Sequence, residues 1–186
     1  MGYIDYDNDI TGSHQKVQGS DGRLNVSSRS DGRAYYNSRD RGKTYTVVYD
    51  HQSAAAGEFS LYIKNTSSVD NLVVMSCGLN AAENARIKLH RVTGTAAGGS
   101  ELTPVNTSST LSAAADVRQG EAGDAITGLT SSGLHDFAGV QANGHEEFRL
   151  RDVIRLKQNE ALAIEYDEGT TGDFWGVAFM YFEPAA

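Results

Sequence analysis

The sequence predicts an all-β fold: a two-sheet, jelly-roll-like sandwich carrying an extended N-terminal arm. Three observations lead there. Helical periodicity is nearly absent, and apolar residues fall instead in short alternating or continuous runs. Clusters of Gly, Ser, Thr, Asn and Asp, the residues that turn a chain, separate these runs. Twenty glycines stand against two prolines. Roughly eight to ten strands over residues 44–186, with long connections in the middle, suit a sandwich better than an up-and-down barrel, whose turns are shorter and more regular.

Each element has its own warrant. KTYTVVYD (43–50) is β-branched and aromatic. EFSLYIKN (58–65) places Phe59, Leu61 and Ile63 on one face and Ser60, Tyr62 and Lys64 on the other, the pattern of a half-buried strand. NLVVMSCGL (71–79) is continuously apolar, as a strand buried on both faces would be. ARIKLHRVTG (85–94) alternates Ile87 and Leu89 with Lys88 and His90 and ends at Gly94. FRLRDVIRLKQ (148–158) and ALAIEYDE (161–168) read as a tight hairpin through Asn159 and Glu160. FWGVAFMYFE (174–183) is the most apolar stretch and is expected to close the sheet. Residues 95–147, poor in bulky side chains, read as a long loop region with a brief extended piece near Leu102. Within it LSAAADVRQG (111–120) fits one or two helical turns, a short edge strand or a loop.

Residues 1–43 differ in character and form the arm; residues 44–186 form the body. Two SDGR tetrapeptides (20–23 and 30–33) place Asp-Gly turns before strands at 23–28 and 33–38. The arm holds seven Lys/Arg and six Asp/Glu, the body nine and eighteen. The window 20–43 concentrates the positive charge, which suits docking onto an acidic partner surface as well as an ordinary solvated segment. An acidic body argues against nucleic-acid binding. No apolar run approaches the roughly 20 residues of a membrane span, and the acidic start lacks the pattern of a secretory signal. The chain is therefore expected to be made and used without signal-dependent export.

The chemistry-bearing residues form no convergent set. Cys77 is the single cysteine and sits in an apolar run, as a buried hydrophobe does. The five histidines, His14, His51, His90, His135 and His145, include no HxH or HxxxH spacing. His145 adjoins Glu146 and Glu147 in what reads as a charged loop. DYDND (5–9) and DEGTTGD (167–173) gather oxygen ligands, but the first departs from a calcium loop and the second is a hairpin turn with Gly169 and Gly172. GTAAGG (94–99) lacks the Lys-Ser/Thr of a phosphate loop. The reading is therefore no enzyme, no metal and no cofactor. Tyr35, Tyr36, Tyr45, Tyr49 and Tyr62 cluster in the first third, which fits sugar stacking, strand interiors or protein interfaces. Trp175 reads as a core residue.

The succession GEFSLYIKNTS, LVVMSCGL, ARIKLHRVTGTAAGGSELTPVN and RLKQNEALAIEYDEGTTGDFWGVAFMYFE resembles small virion proteins of tailed bacteriophages. These are jelly-roll head-decoration (capsid cement) proteins and related head-fibre or tail appendage domains. Residues 92–106 stand where that family's strand-to-loop segment lies, and 159–183 where its closing hairpin lies, with Asn159 in place of a common Gly. The resemblance implies a homotrimer on the capsid exterior, made in the host cytoplasm, which bridges and stabilises copies of the major capsid protein. The expected contacts are Arg23, Arg29, Arg33, Tyr35, Tyr36, Arg39 and Arg41, with residues 95–110 as a second contact between subunits. The alternative is a receptor- or glycan-binding head-fibre or tail appendage.

Overall fold

The computed structural model describes residues 4–8, 13–17 and 41–185. The chain divides into two compact units, 1–32 and 33–186, where the sequence reading set the boundary after residue 43. In the first unit β1 (Ile4–Asn8) and β2 (Ser13–Val17) pair antiparallel, with Ile4 opposite Val17 and Asn8 opposite Ser13. Asp5–Asn8 therefore belong to a strand rather than to a ligand loop. The strands expected at 23–28 and 33–38 lie outside the described residues.

The second unit contains β3 (Thr44–Ala54), β4 (Glu58–Asn65), β5 (Asp70–Ala81), β6 (Ala85–Ala97), β7 (Ser100–Glu101) and β8 (Val105–Asn106). It continues with β9 (Ala115–Gln119), β10 (Thr127–Val140), β11 (Gly144–Leu156), β12 (Ala161–Gly169) and β13 (Gly172–Pro184). The fold is all-β, two antiparallel sheets packed as a sandwich. One sheet runs β10-β6-β12-β4-β9-β7, the other β11-β5-β13-β3-β8. Among the eight long strands, every consecutive pair except β6 and β10 crosses from one sheet to the other, the wrapped connectivity of a jelly roll. Among the described residues, no helix is long and apolar enough to cross a membrane.

Several elements differ from the sequence reading. Strands β11 and β12 are not a hairpin, because β11 pairs β5 in one sheet and β12 pairs β4 and β6 in the other. The Lys157–Glu160 turn exists, closed by the Glu160 N–H donating to the Lys157 carbonyl at 3.0 Å, with Asn159 at φ 66°. It carries the chain between sheets. The Gly169–Gly172 turn likewise links β12 to β13 across the sandwich. Strand β13 is not an outer strand; it lies in the middle of its sheet, between β5 and β3. Residues 95–147 hold four strands, among them the 14-residue β10. Strand β10 was hidden because its Gly/Ser/Thr composition lacks alternating apolar residues; as the exposed edge of its sheet it needs none.

The core lies between the sheets. Tyr45, Val47, Tyr49, Phe174, Ala178 and Met180 face Leu61, Ile63, Ile87, Leu89, Leu162 and Ile164. Strand β4 is not half-buried. Tyr62 on its other face is 1% exposed and packs with Val92, Ile126, Ala161 and Ala163, backed by Phe59, Ala96 and Leu129. The excursion between β6 and β10 thus folds back over one end of the six-stranded sheet's outer face. A β-bulge between Leu61 and Phe59, where β4 meets β12, moves Phe59 to that face.

His51 on β3 is fully buried, with Nδ1 2.9 Å from Ser60 Oγ and Nε2 3.6 Å from Glu58. Burial pushes its pKa below the ordinary histidine value, and this outweighs the attraction of Glu58, the Glu121 backbone, and the charges of Asp50 and Glu121. The unfolded chain therefore takes up this proton at higher pH than the native chain does. Stability is complete above pH ~6.5 and falls as pH drops from there toward the lowered native pKa. Urea unfolding at pH 7.5 and 5.5 is expected to show this loss, and His51→Gln is expected to shrink it.

Candidate protein interface

The outer faces of the two sheets differ in chemistry. The six-stranded sheet presents a lattice of ion pairs. Arg86 and Lys88 on β6 meet Asp167 on β12, with Arg86 also 3.0 Å from Glu168. Arg118 on β9 lies 2.9 Å from Glu101 and 3.5 Å from Asp116. The rest of this face is partly covered by the β6–β10 excursion, and its edge strand β10 exposes Leu134 and Phe137 opposite His90 and Lys88.

The five-stranded sheet's outer face is apolar at its centre. Directly opposed residues in an antiparallel ladder project to the same side. One row therefore runs Val105 (β8), Thr46 (β3), Phe179 (β13), Ser76 (β5) and Arg149 (β11). The next row runs Val48, Val177, Gly78 and Glu147, and a third runs Asp50, Trp175, Asn80 and His145. Val48 is 69% exposed, Val105 64%, Phe179 44% and Trp175 37%. The charged members lie at the margins. Arg149 donates to Glu147 at 2.5 Å, and His145 Nδ1 lies 3.0 Å from Asn80 Oδ1. An apolar centre with a mixed-charge rim is the anatomy of a protein interface.

Trp175 therefore belongs to this face rather than to the core. The sequence held a signal for it. In FWGVAFMYF both parities are apolar, so whichever set faces the core, the other faces outward. The tyrosines go the other way, since Tyr45, Tyr49 and Tyr62 are at most 1% exposed. Their hydroxyls serve the fold: Tyr49 Oη donates to the Gly78 carbonyl at 2.7 Å.

Of the seven residues expected to contact a partner, Arg41 is described; Arg23, Arg29, Arg33, Tyr35, Tyr36 and Arg39 lie outside the described residues. Arg41 and Lys43 both grip Asp70, at 2.9 and 2.5 Å, and the Arg41 guanidinium also reaches the Phe182 carbonyl at 3.4 Å. The segment entering β3 is thereby fastened to the sandwich. Burial alone would raise the Asp70 pKa, but hydrogen bonds and charge from Lys43 and Arg41 outweigh it and hold the carboxyl below its usual range. A depressed carboxylate contributes stability above its unfolded pKa and loses it as pH falls through the native one, here below pH ~3.8. Asp70→Asn is expected to cost about 1–3 kcal/mol in urea at pH 7 and progressively less as pH falls below ~3.8.

A second polar constellation was invisible in sequence because its members are up to 75 residues apart. His90 on β6 lies with Nδ1 2.8 Å from Ser131 Oγ on β10 and Nε2 2.6 Å from Glu165 on β12. The three tie neighbouring strands together, and Ser131 adjoins a β-bulge of the edge strand. A serine nucleophile with its base and orienting acid has the same connectivity, so the two roles need a test. As a staple, Ser131 is expected to stay unmodified by a fluorophosphonate at neutral pH, read by intact mass. His90→Ala is expected to lower stability by about 1–3 kcal/mol.

The remaining candidates have structural places. Cys77 is fully buried and its thiol is pushed up to about 12 by burial, with Glu147 adding to the shift. His145, Glu146 and Glu147 lie in β11 rather than in a loop. In 167–173, Asp167 is held by Arg86 and Lys88, and Asp173 accepts the Ser53 N–H at 2.9 Å. Among the described residues, no group of three His, Cys, Asp or Glu side chains is placed to hold a metal ion. No protein-family model, curated protein or solved structure matches the chain.

Proposed function

We propose that this chain is a structural virion protein of a tailed bacteriophage, one that decorates the capsid and stabilises it by bridging major capsid protein subunits. The observation that carries the reading is the contrast between the sheets' outer faces. One is laced with ion pairs and, among the described residues, exposes large apolar side chains only at Leu134 and Phe137 of its edge strand β10; the other exposes valine and aromatic side chains at the centre of the sheet, where a partner can cover them. The wrapped sandwich supplies a rigid platform for that face. The basic window of residues 20–43 supplies a second, electrostatic contact with the shell. A clamp of this kind acts through several weak contacts at once, so none needs high affinity alone.

The test is co-sedimentation of the full chain with purified capsids. Arg23→Glu, Arg29→Glu and Arg39→Glu together are expected to abolish binding while leaving the melting curve unchanged. Undiminished binding by that variant would refute docking through the arm. The glycan-binding alternative keeps one supporting observation, the exposed rings of Trp175 and Phe179 on the same face, since Tyr45, Tyr49 and Tyr62 are in the core. Host-cell or glycan binding lost in Trp175→Ala would favour it instead.

A further inference from the structure

We infer that the apolar outer face of the five-stranded sheet pairs with the same face of a second copy, about a two-fold axis centred between Val177 and Gly78 and with the two sheets crossed near 90°. This rests on the assembly reading above and names the partner of its apolar face.

The argument is the register itself. Strands are spaced about 4.8 Å apart, and residues two apart on one strand by about 6.8 Å. Asp50 and Arg149 occupy opposite corners of the face, three strands and two rows apart. The diagonal between them is therefore about 20 Å long and lies at about 45° to the strands. Its midpoint falls between Val177 and Gly78, at the apolar centre. A two-fold axis lying in the face, perpendicular to that diagonal, exchanges the two corners. Each copy's Asp50 then meets the other copy's Arg149, giving two equivalent ion pairs at the rim. The same operation turns the strands of one copy by about 90° relative to the other, which is one of the two favoured ways for sheets to pack.

The interior of the face follows without further adjustment. Phe179 lands over the partner copy's Thr46 and Val48. Trp175 lands over the copy's Glu147–Arg149 edge, where a guanidinium and an indole ring attract. Gly78, with no side chain, leaves room at the axis. An isologous contact requires a surface complementary to itself, and this face meets that requirement in both charge and apolar content. The body otherwise carries nine Lys/Arg against eighteen Asp/Glu, so two copies repel except through a patch where opposite charges can be matched. The face offers about thirteen residues per copy, fewer than the ~20–30 of a standard interface, so the pairing is expected in the micromolar range.

Sedimentation velocity of the full chain from 1 to 100 µM tests this. The expected result is a monomer–dimer equilibrium. Phe179→Glu and, separately, Val48→Glu are each expected to weaken it at least tenfold. Val48 is 69% and Phe179 44% exposed, and unchanged melting curves will show that the variants fold. Asp50→Lys and Arg149→Glu are each expected to weaken dimerisation, and combining them to restore it, because the swap regenerates the pair across the axis. A chain that stays monomeric at 100 µM overturns the inference. So does a trimer, a dimer indifferent to Phe179→Glu, or a charge swap that fails to rescue. So does a monomer whose face binds purified capsid protein instead. Capsid co-sedimentation of Phe179→Glu separates this inference from the function. Loss of pairing with decoration retained supports both, whereas a normal dimer that never binds capsids sinks the decoration reading alone.

Discussion

Gly176→Ala is expected to abolish accumulation of folded, soluble protein. A Cβ at this position would lie 1.8 Å from the Gly78 carbonyl oxygen and 2.6 Å from the Tyr49 hydroxyl. The first obstacle is backbone of the neighbouring strand β5, which cannot move aside without opening the β13–β5 ladder. The second is a ring that is fully buried and hydrogen-bonded to that same carbonyl. Overpacking a core by one methyl usually costs about 1–3 kcal/mol. Here the clash is with main chain in the centre of a sheet, so the cost is expected to exceed ~4 kcal/mol and to consume much of a typical domain's stability. Yield in the soluble fraction and near-ultraviolet circular dichroism would reveal it. A soluble variant with an unchanged melting temperature would show that β13 and β5 can separate locally at no cost.

Phe174→Ala is expected to destabilise by about 3–5 kcal/mol, measured by urea unfolding. Phe174 is fully buried at the start of β13, with its ring centroid 5.6 Å from Tyr49 and 6.0 Å from Tyr166. Tyr49 belongs to the same sheet and Tyr166 to the opposite one, so the three rings join the layers at one end of the sandwich. Removing the middle ring leaves a cavity between two rigid sheets that cannot collapse into it. Phe174→Leu refills most of the volume and is expected to cost less than half as much.

These residues also show how far sequence reasoning reaches. Alternation and continuous apolar runs located β3, β4, β5, β6, β11, β12 and β13, because each must present apolar side chains to the core. They did not find β10, whose place on an exposed edge imposes no apolar pattern, nor β1 and β2. Sheet membership was equally hidden. The turn at Asn159 and Glu160 has hairpin chemistry, yet its strands part, since a local turn does not encode which distant strands each flank will pair with. Of the expected contacts, Arg41 turned out to be bound to Asp70, a partner 29 residues away that no local pattern connects to it. The His90–Ser131–Glu165 row was invisible for the same reason. The apolar face was legible in principle, because Trp175, Val177 and Phe179 share a parity that the core does not use.

The position of β13 has a consequence for when this protein can exist at all. This strand leaves the ribosome after every other strand of its sheet, yet it lies between β3 and β5 and pairs with both. Until it arrives, the five-stranded sheet consists of two separate halves, each with an unsatisfied inner edge. Chain emerges at about 5–20 residues per second, so for several seconds those edges stand open on the nascent polypeptide. Closure is a single late event in which β13 slots into a waiting gap. Assembly through this face must therefore wait for β13, and a chain stopped before it lacks Trp175, Val177 and Phe179.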